Sequence, residues 1–71
     1  MSSEHAITVE GRVIEVLREA LFRVELPNGH RLLAHVGRRD RDRCVRVELS
    51  QIVTVRLSPY DLSSGRIVFD Y

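Results

Sequence analysis

Residues 21–36 read Leu21-Phe22-Arg23-Val24-Glu25-Leu26-Pro27-Asn28-Gly29-His30-Arg31-Leu32-Leu33-Ala34-His35-Val36. The length of the turn in the middle of this stretch decides how its two arms face the core. Phe22, Val24 and Leu26 alternate with Arg23 and Glu25, the pattern of a strand with one buried face. A two-residue turn would pair Leu26 with Arg31 and mix apolar and charged side chains on one surface. A three-residue turn, Pro27-Asn28-Gly29, pairs 26 with 30, 24 with 32 and 22 with 34. Phe22, Val24, Leu32 and Ala34 then share the core face, and Glu25 stands opposite Arg31 outside. Pro27 suits the second position of a type I turn and Gly29 the left-handed position after it. The outward face of this hairpin carries Leu21, Arg23, Glu25, Arg31, Leu33 and His35, a mixed platform that can lie against nucleic acid or simply be solvated.

Downstream of the hairpin, residues 37–43 (GRRDRDR) contain no apolar side chain and must form a surface loop or a short helical turn. Residues 38–46 hold Arg38, Arg39, Arg41, Arg43 and Arg46 against Asp40 and Asp42, a net charge of +3 in a chain whose total is +1. The remainder is therefore net negative, and positive charge is focused on one segment, which favours a localised anionic partner. The same run can also be read as a solvated loop whose two Asp pair with their neighbours. The basic residues are all Arg, whose planar fork holds phosphate through two hydrogen bonds; a GC-rich genome would produce the same usage.

Upstream, residues 7–17 read as a long strand. Ile7 and Val9 share one face, Ile14 and Val16 the opposite parity, and Gly11 between them suggests a bulge or bend. A long bent strand serving two halves of a sheet is what a small closed barrel needs. Residues 44–49 (CVRVEL) alternate again, with Val45, Val47 and Leu49 on one side. Residues 52–57 follow with Val53, Val55 and Leu57 inward. Ser58 to Gly65 reads as a Pro/Ser/Gly-rich connection with Tyr60 and Leu62 available to plug a barrel end, and residues 66–70 as a final short strand. About five strands with almost no helix point to an all-β, five-stranded Greek-key barrel, the OB fold, with a short helical turn between strands three and four.

Seventy-one residues suffice for one domain, residues 1–71, of which 1–5 are expected to be flexible. A hydrophobic content of 44% with 30% charged residues fits a folded chain. Apolar runs are too short to span a membrane, and no export signal is visible in MSSEHAITVE. Cys44 alone cannot form an internal disulfide or a zinc site. His5, His30 and His35 lack metal-ligand spacing, and neither a phosphate-cradling glycine loop nor a nucleophile elbow is present. The expectation is a cytoplasmic protein that is not an enzyme, with no catalytic residues, no metal and no cofactor.

Phe22-Arg23-Val24-Glu25-Leu26, Asn28-Gly29-His30, Ala34-His35-Val36 and Pro59-Tyr60-Asp61-Leu62-Ser63 followed by Gly65-Arg66-Ile67 together resemble the bacterial translation initiation factor one family. The resemblance covers essentially the whole chain. It implies an OB barrel that binds the small ribosomal subunit near its decoding A site. There it would contact rRNA and a neighbouring ribosomal protein, cooperate with the other two initiation factors as a monomer, and keep elongator tRNA out. His30, His35, Arg39, Arg41, Arg46 and Arg66 match the family's rRNA-facing surface. Arg23 joins them by the hairpin register, and Arg38 and Arg43 by the charge of the loop. Departures gather in that loop: Asp40, Asp42 and Cys44 stand where Met, a basic residue and an aromatic are usual. Ser50-Gln51 replaces a Gly-Asp turn, and Asp70-Tyr71 replaces a basic end. Two other readings stay open. A general single-stranded RNA-binding or RNA-chaperone OB module would carry exposed aromatics, yet Phe22, Tyr60, Phe69 and Tyr71 do not cluster on the platform. A divergent paralogue acting through protein–protein contacts would tolerate the acidic substitutions. Replacing Asp40 with Met and Asp42 with Lys is expected to tighten binding to small subunits, measured by co-sedimentation; unchanged affinity would mean that the loop does not face rRNA.

Overall fold

A computed structural model describes residues 6–69, without the side chains of residues 43–46. The expected flexibility of residues 1–5 and the departures at Asp70-Tyr71 lie outside the described residues. The longest strand, β1 (Ile7–Arg18), has two different partners. It pairs antiparallel with β4 (Ile52–Ser58) from Ile7↔Leu57 to Arg12↔Ile52. From Arg12↔Glu25 to Arg18↔Leu21 it pairs with β2 (Leu21–Glu25). β2 continues into β3 (Arg31–His35), and β5 (Asp61–Val68) lies between β3 and β4. The order β1-β2-β3-β5-β4 closes into a barrel in which β3 and β5 run parallel and every other pair antiparallel. One short 3-10 helix, Arg38–Arg46, connects β3 to β4. The all-β OB architecture is as expected.

The hairpin register is the expected one, with Phe22↔Ala34, Val24↔Leu32 and Glu25↔Arg31 in register. The turn closes through Gly29 N–H to the Leu26 carbonyl (2.9 Å) and Leu26 N–H to the His30 carbonyl (2.8 Å). Gly29 has φ 91°, a conformation that glycine adopts without steric cost. Glu25 and Arg31 form the cross-strand ion pair at 3.2 Å. Phe22, Val24, Leu32, Ala34, Val53, Val55 and Leu57 are all buried, together with Val13, Val36, Val47 and Ile67.

Three expectations are corrected. First, Gly11 is not the bulge: it pairs regularly with Val53. The ladder instead slips between Val13 and Glu15 and between Val16 and Arg18, so Ile14 and Leu17 are the extra residues. Val13 thus stays inward while Val16 is exposed. The glycine answers a different need. A Cβ there would lie 2.5 Å from Val24 Cγ1 and 3.0 Å from the Glu25 carbonyl oxygen, so a side chain cannot fit where β1 passes from one partner to the other.

Second, residues 44–49 are not a strand. The 3-10 helix runs through Arg46 and a turn follows at Leu49-Ser50; Val47 is buried but Leu49 is exposed. The reason is topological: each of the five strands already has two neighbours, so no ladder edge is free for a sixth. Third, β5 begins at Asp61 rather than at residue 66. Only Pro59 and Tyr60 separate it from β4, Tyr60 is 86% exposed, and neither it nor Leu62 plugs the barrel.

The junction at Val13 is held by the turn before β4. Ser50 N–H donates to the Val13 carbonyl (2.7 Å) and Val13 N–H to the Gln51 carbonyl (2.9 Å). Ser50 adopts φ 71° to reach it, in a region that disfavours residues with a Cβ. Substituting Ser50→Gly is expected to stabilise the fold by about 0.5–1 kcal/mol. Gly11→Ala is expected to cost about 1–3 kcal/mol through overpacking. Urea unfolding of the two variants beside the parent chain checks both signs.

Candidate nucleic-acid interface

The closed barrel turns the arginines of consecutive strands into rows. One row runs across four strands: Leu21 of β2 opposite His35 of β3, His35 beside Arg66 of β5, and Arg66 opposite Arg56 of β4. His35, Arg66 and Arg56 are all exposed, and two strand spacings put roughly 10 Å between the first and last backbones. The 3-10 helix starts directly after this row. Arg38 and Arg39, its first residues, are exposed. The Arg66 side chain lies over Gly37, where a Cβ would sit 3.4 Å from its Nε and 3.6 Å from Cζ. The absence of a side chain at residue 37 thus lets the Arg66 guanidinium rest against the start of the helix. His35, Arg38, Arg39 and Arg66 therefore form one group.

The other expected residues are placed differently. Arg23 is held by Glu15 of β1 at 3.1 Å, so much of its charge is compensated within the barrel. His30 belongs to the turn: its Nε2 is 2.7 Å from the Leu62 carbonyl, a contact that ties the β2–β3 hairpin to the start of β5 and requires Nε2 to carry the proton. Arg41 donates from Nε to the Val36 carbonyl at 3.3 Å, bracing the helix against the end of β3. Asp40 N–H bonds the Gly37 carbonyl at 2.9 Å. The side chains of Arg43 and Arg46 lie outside the described residues, as does that of Cys44. Arg56 was missed by sequence reasoning. Its outward parity between Val55 and Leu57 was readable, but nothing in the order of residues placed it beside Arg66.

Charge is segregated around the barrel. The outward carboxylates of the strands, Glu10, Glu15 and Glu25, lie on β1 and β2. On β3, β4 and β5 the acidic side chain is Asp61, and it is engaged by its own strand. Its Oδ1 accepts from Ser63 N–H (3.1 Å) and Ser63 Oγ (2.6 Å), and its Oδ2 from Ser64 Oγ (3.2 Å). A cleft of about 510 Å³ between Glu10, Arg12, Glu25, Leu26, Pro27 and Ile52 holds none of the expected residues and presents two carboxylates. An anionic strand gains nothing there. Among the described residues no group of three or more His, Cys, Asp or Glu is arranged to hold a metal ion, and no helix is long and apolar enough to cross a membrane.

The family described as translation initiation factor 1A / IF-1 matches residues 1–71. The chain belongs to that family. Its barrel is also similar to the solution structure of the family's translation initiation factor from the Wolbachia endosymbiont strain TRS of Brugia malayi. The TM-score is 0.74 and the identity 35%, over 97% of this chain and 82% of that one. Membership of the initiation factor 1A / IF-1 family supports a role in translation initiation.

Hydrogen bonds from Ser63, side chain first and then backbone, and from Ser64 lower the Asp61 carboxyl below its ordinary value of 3.8. These bonds favour the ionised form. A carboxylate lowered by folding contributes stability that is present above the unfolded value and is lost as pH falls through the folded one. In an Asp61→Asn variant the acid-side decline of stability below about pH 4 should be shallower than in the parent. Unfolding midpoints measured from about pH 2 to pH 6 provide the check.

Proposed function

We propose that the chain, acting as a single-domain monomer in the cytoplasm, binds the small ribosomal subunit at the A site of its decoding region. Contacts to rRNA hold it there, a neighbouring ribosomal protein flanks it, and the other two initiation factors bind alongside. Occupying that site keeps elongator tRNA out while the initiator is selected. The observation that carries the reading is the group His35, Arg38, Arg39 and Arg66: four exposed side chains from β3, β5 and the 3-10 helix in a chain of the initiation factor family. Guanidinium groups so arranged grip phosphate in pairs of hydrogen bonds, and a barrel wall fixes their spacing before the RNA arrives.

Within this reading Arg41, Arg43 and Arg46 complete the basic helix, with Arg41 bracing it as well as adding charge. Arg23 and His30 act mainly within the barrel, through Glu15 and the Leu62 carbonyl. The alternative of a general single-stranded RNA binder is disfavoured by the aromatics. Phe22 is buried and Phe69 packs against the core, which leaves Tyr60 as the exposed ring among the described residues. Stacking platforms use several.

Purified small subunits should retain the protein stoichiometrically in low salt. If about four to five phosphates are neutralised, log K should fall against log salt with a slope of about −3 to −4. Free RNA oligomers should bind more weakly, and an A-site ligand should compete. Failure of small subunits to retain the protein at low ionic strength would overturn the proposal.

A further inference from the structure

We propose that Arg56 and Arg66 form a phosphodiester-binding pair on the outer wall of β4 and β5, carrying the RNA path one strand beyond Arg66. The inference rests on the RNA-binding reading above and adds a contact that the family resemblance did not assign.

The two arginines are direct cross-strand partners in the antiparallel β4–β5 ladder, and both are exposed. Like charges directly opposite each other destabilise a sheet, so the fold holds this arrangement at a cost. Nothing in the described barrel relieves it: neither guanidinium has a carboxylate within ion-pair distance among the described residues. On the far side of β4, Arg56 faces Thr8 of β1, and Glu10 faces Thr54 two pairs further along. Glu10 is thus diagonal to Arg56 and forms no ion pair with it. Asp61, the acidic residue nearest in β5, already accepts bonds from Ser63 and Ser64.

The surroundings match a phosphate rather than a base or a protein carboxylate. Outward neighbours of the pair on the two strands are Thr54, Ser58, Ser64 and Val68; three of the four carry hydroxyls that can donate to a phosphate oxygen without adding charge, and none carries a charge that would compete with it. No aromatic ring of the described barrel wall stands among them. Arg66 is steadied against Gly37, so one fork of the pair is pre-positioned. Arg56 then supplies the second fork from the adjacent strand. A phosphate placed between them converts mutual repulsion into two charge-assisted contacts, while sequence is left unread. The occupant is the ribose-phosphate backbone of a single RNA strand crossing β5 between the 3-10 helix and β4.

The test uses the full chain and its variants Arg56→Gln, Arg56→Glu and Arg39→Gln, titrated against purified small subunits over a range of salt. Melting temperatures are recorded in parallel. Arg56→Gln should weaken binding about tenfold and make the salt slope shallower by about one, with folding intact. Arg56→Glu should weaken binding further while raising the melting temperature, because Glu opposite Arg66 replaces a repulsive pair with an attractive one. A role confined to folding could not move affinity and stability in opposite directions. If Arg56→Gln binds with the parent affinity and slope while Arg39→Gln does not, Arg56 lies off the RNA path; the inference falls and the proposed function stands. If the parent chain itself is not retained by small subunits, both fall together.

Discussion

Everything in this barrel depends on β1 being shared. Its first half completes a ladder with β4 and its second half one with β2, so a chain of 71 residues closes its five strands without leaving one of them at an open edge. Open edges in so small a protein would both waste backbone hydrogen bonds and invite pairing with other chains. The hand-over is concentrated at residues 11–13. Gly11 lets the β2 backbone come close, and Val13 gives both its backbone groups to the turn at Ser50-Gln51. Two slips in the ladder then turn the strand toward β2. The left-handed Ser50 is a local cost accepted so that this junction can close.

Closure also arranges the charge. With β1 and β2 carrying the outward glutamates, Arg23 and Arg31 are matched by Glu15 and Glu25. These exposed pairs are each worth about 0–1 kcal/mol. Among the described residues the arginines of β4 and β5 find no such partners. Among the described residues the barrel thus has a wall whose arginines are matched by its own carboxylates and a wall whose arginines are not, and the 3-10 helix follows the second. The distribution of charge over the surface follows from which strands neighbour one another, more than from how basic the chain is.

The central hairpin was legible because side-chain parity allows one turn length, and Pro27-Asn28-Gly29 has the residues that such a turn requires. The core of β2, β3 and β4 was legible for the same reason. Residues 44–49 misled because alternation reports only what one segment would do if a partner strand were available, and here every edge is taken. The beginning of β5 was hidden because Asp61 to Ser64 are polar or exposed on both faces and reach the core only at Gly65. The basic loop was visible in the residue string, but the position of Arg66 against Gly37 and Arg56 required knowing that β5 inserts between β3 and β4. The engagement of the His30 ring with the Leu62 carbonyl was not legible, because that contact joins residues far apart in the chain.

The parallel pairing of β3 with β5 has a bearing on how the chain comes together. The hairpins β2–β3 and β4–β5 close over short turns, so their ends meet at small entropic cost. Joining Leu33 to Ser64 instead closes a loop that contains the helix and all of β4, and such non-local contacts are slow to form. The arginine-bearing connection is therefore also the tether that the folding chain must wind into place. Mutual repulsion along that tether opposes its compaction, and Asp40 and Asp42, placed between its arginines, offset part of that repulsion.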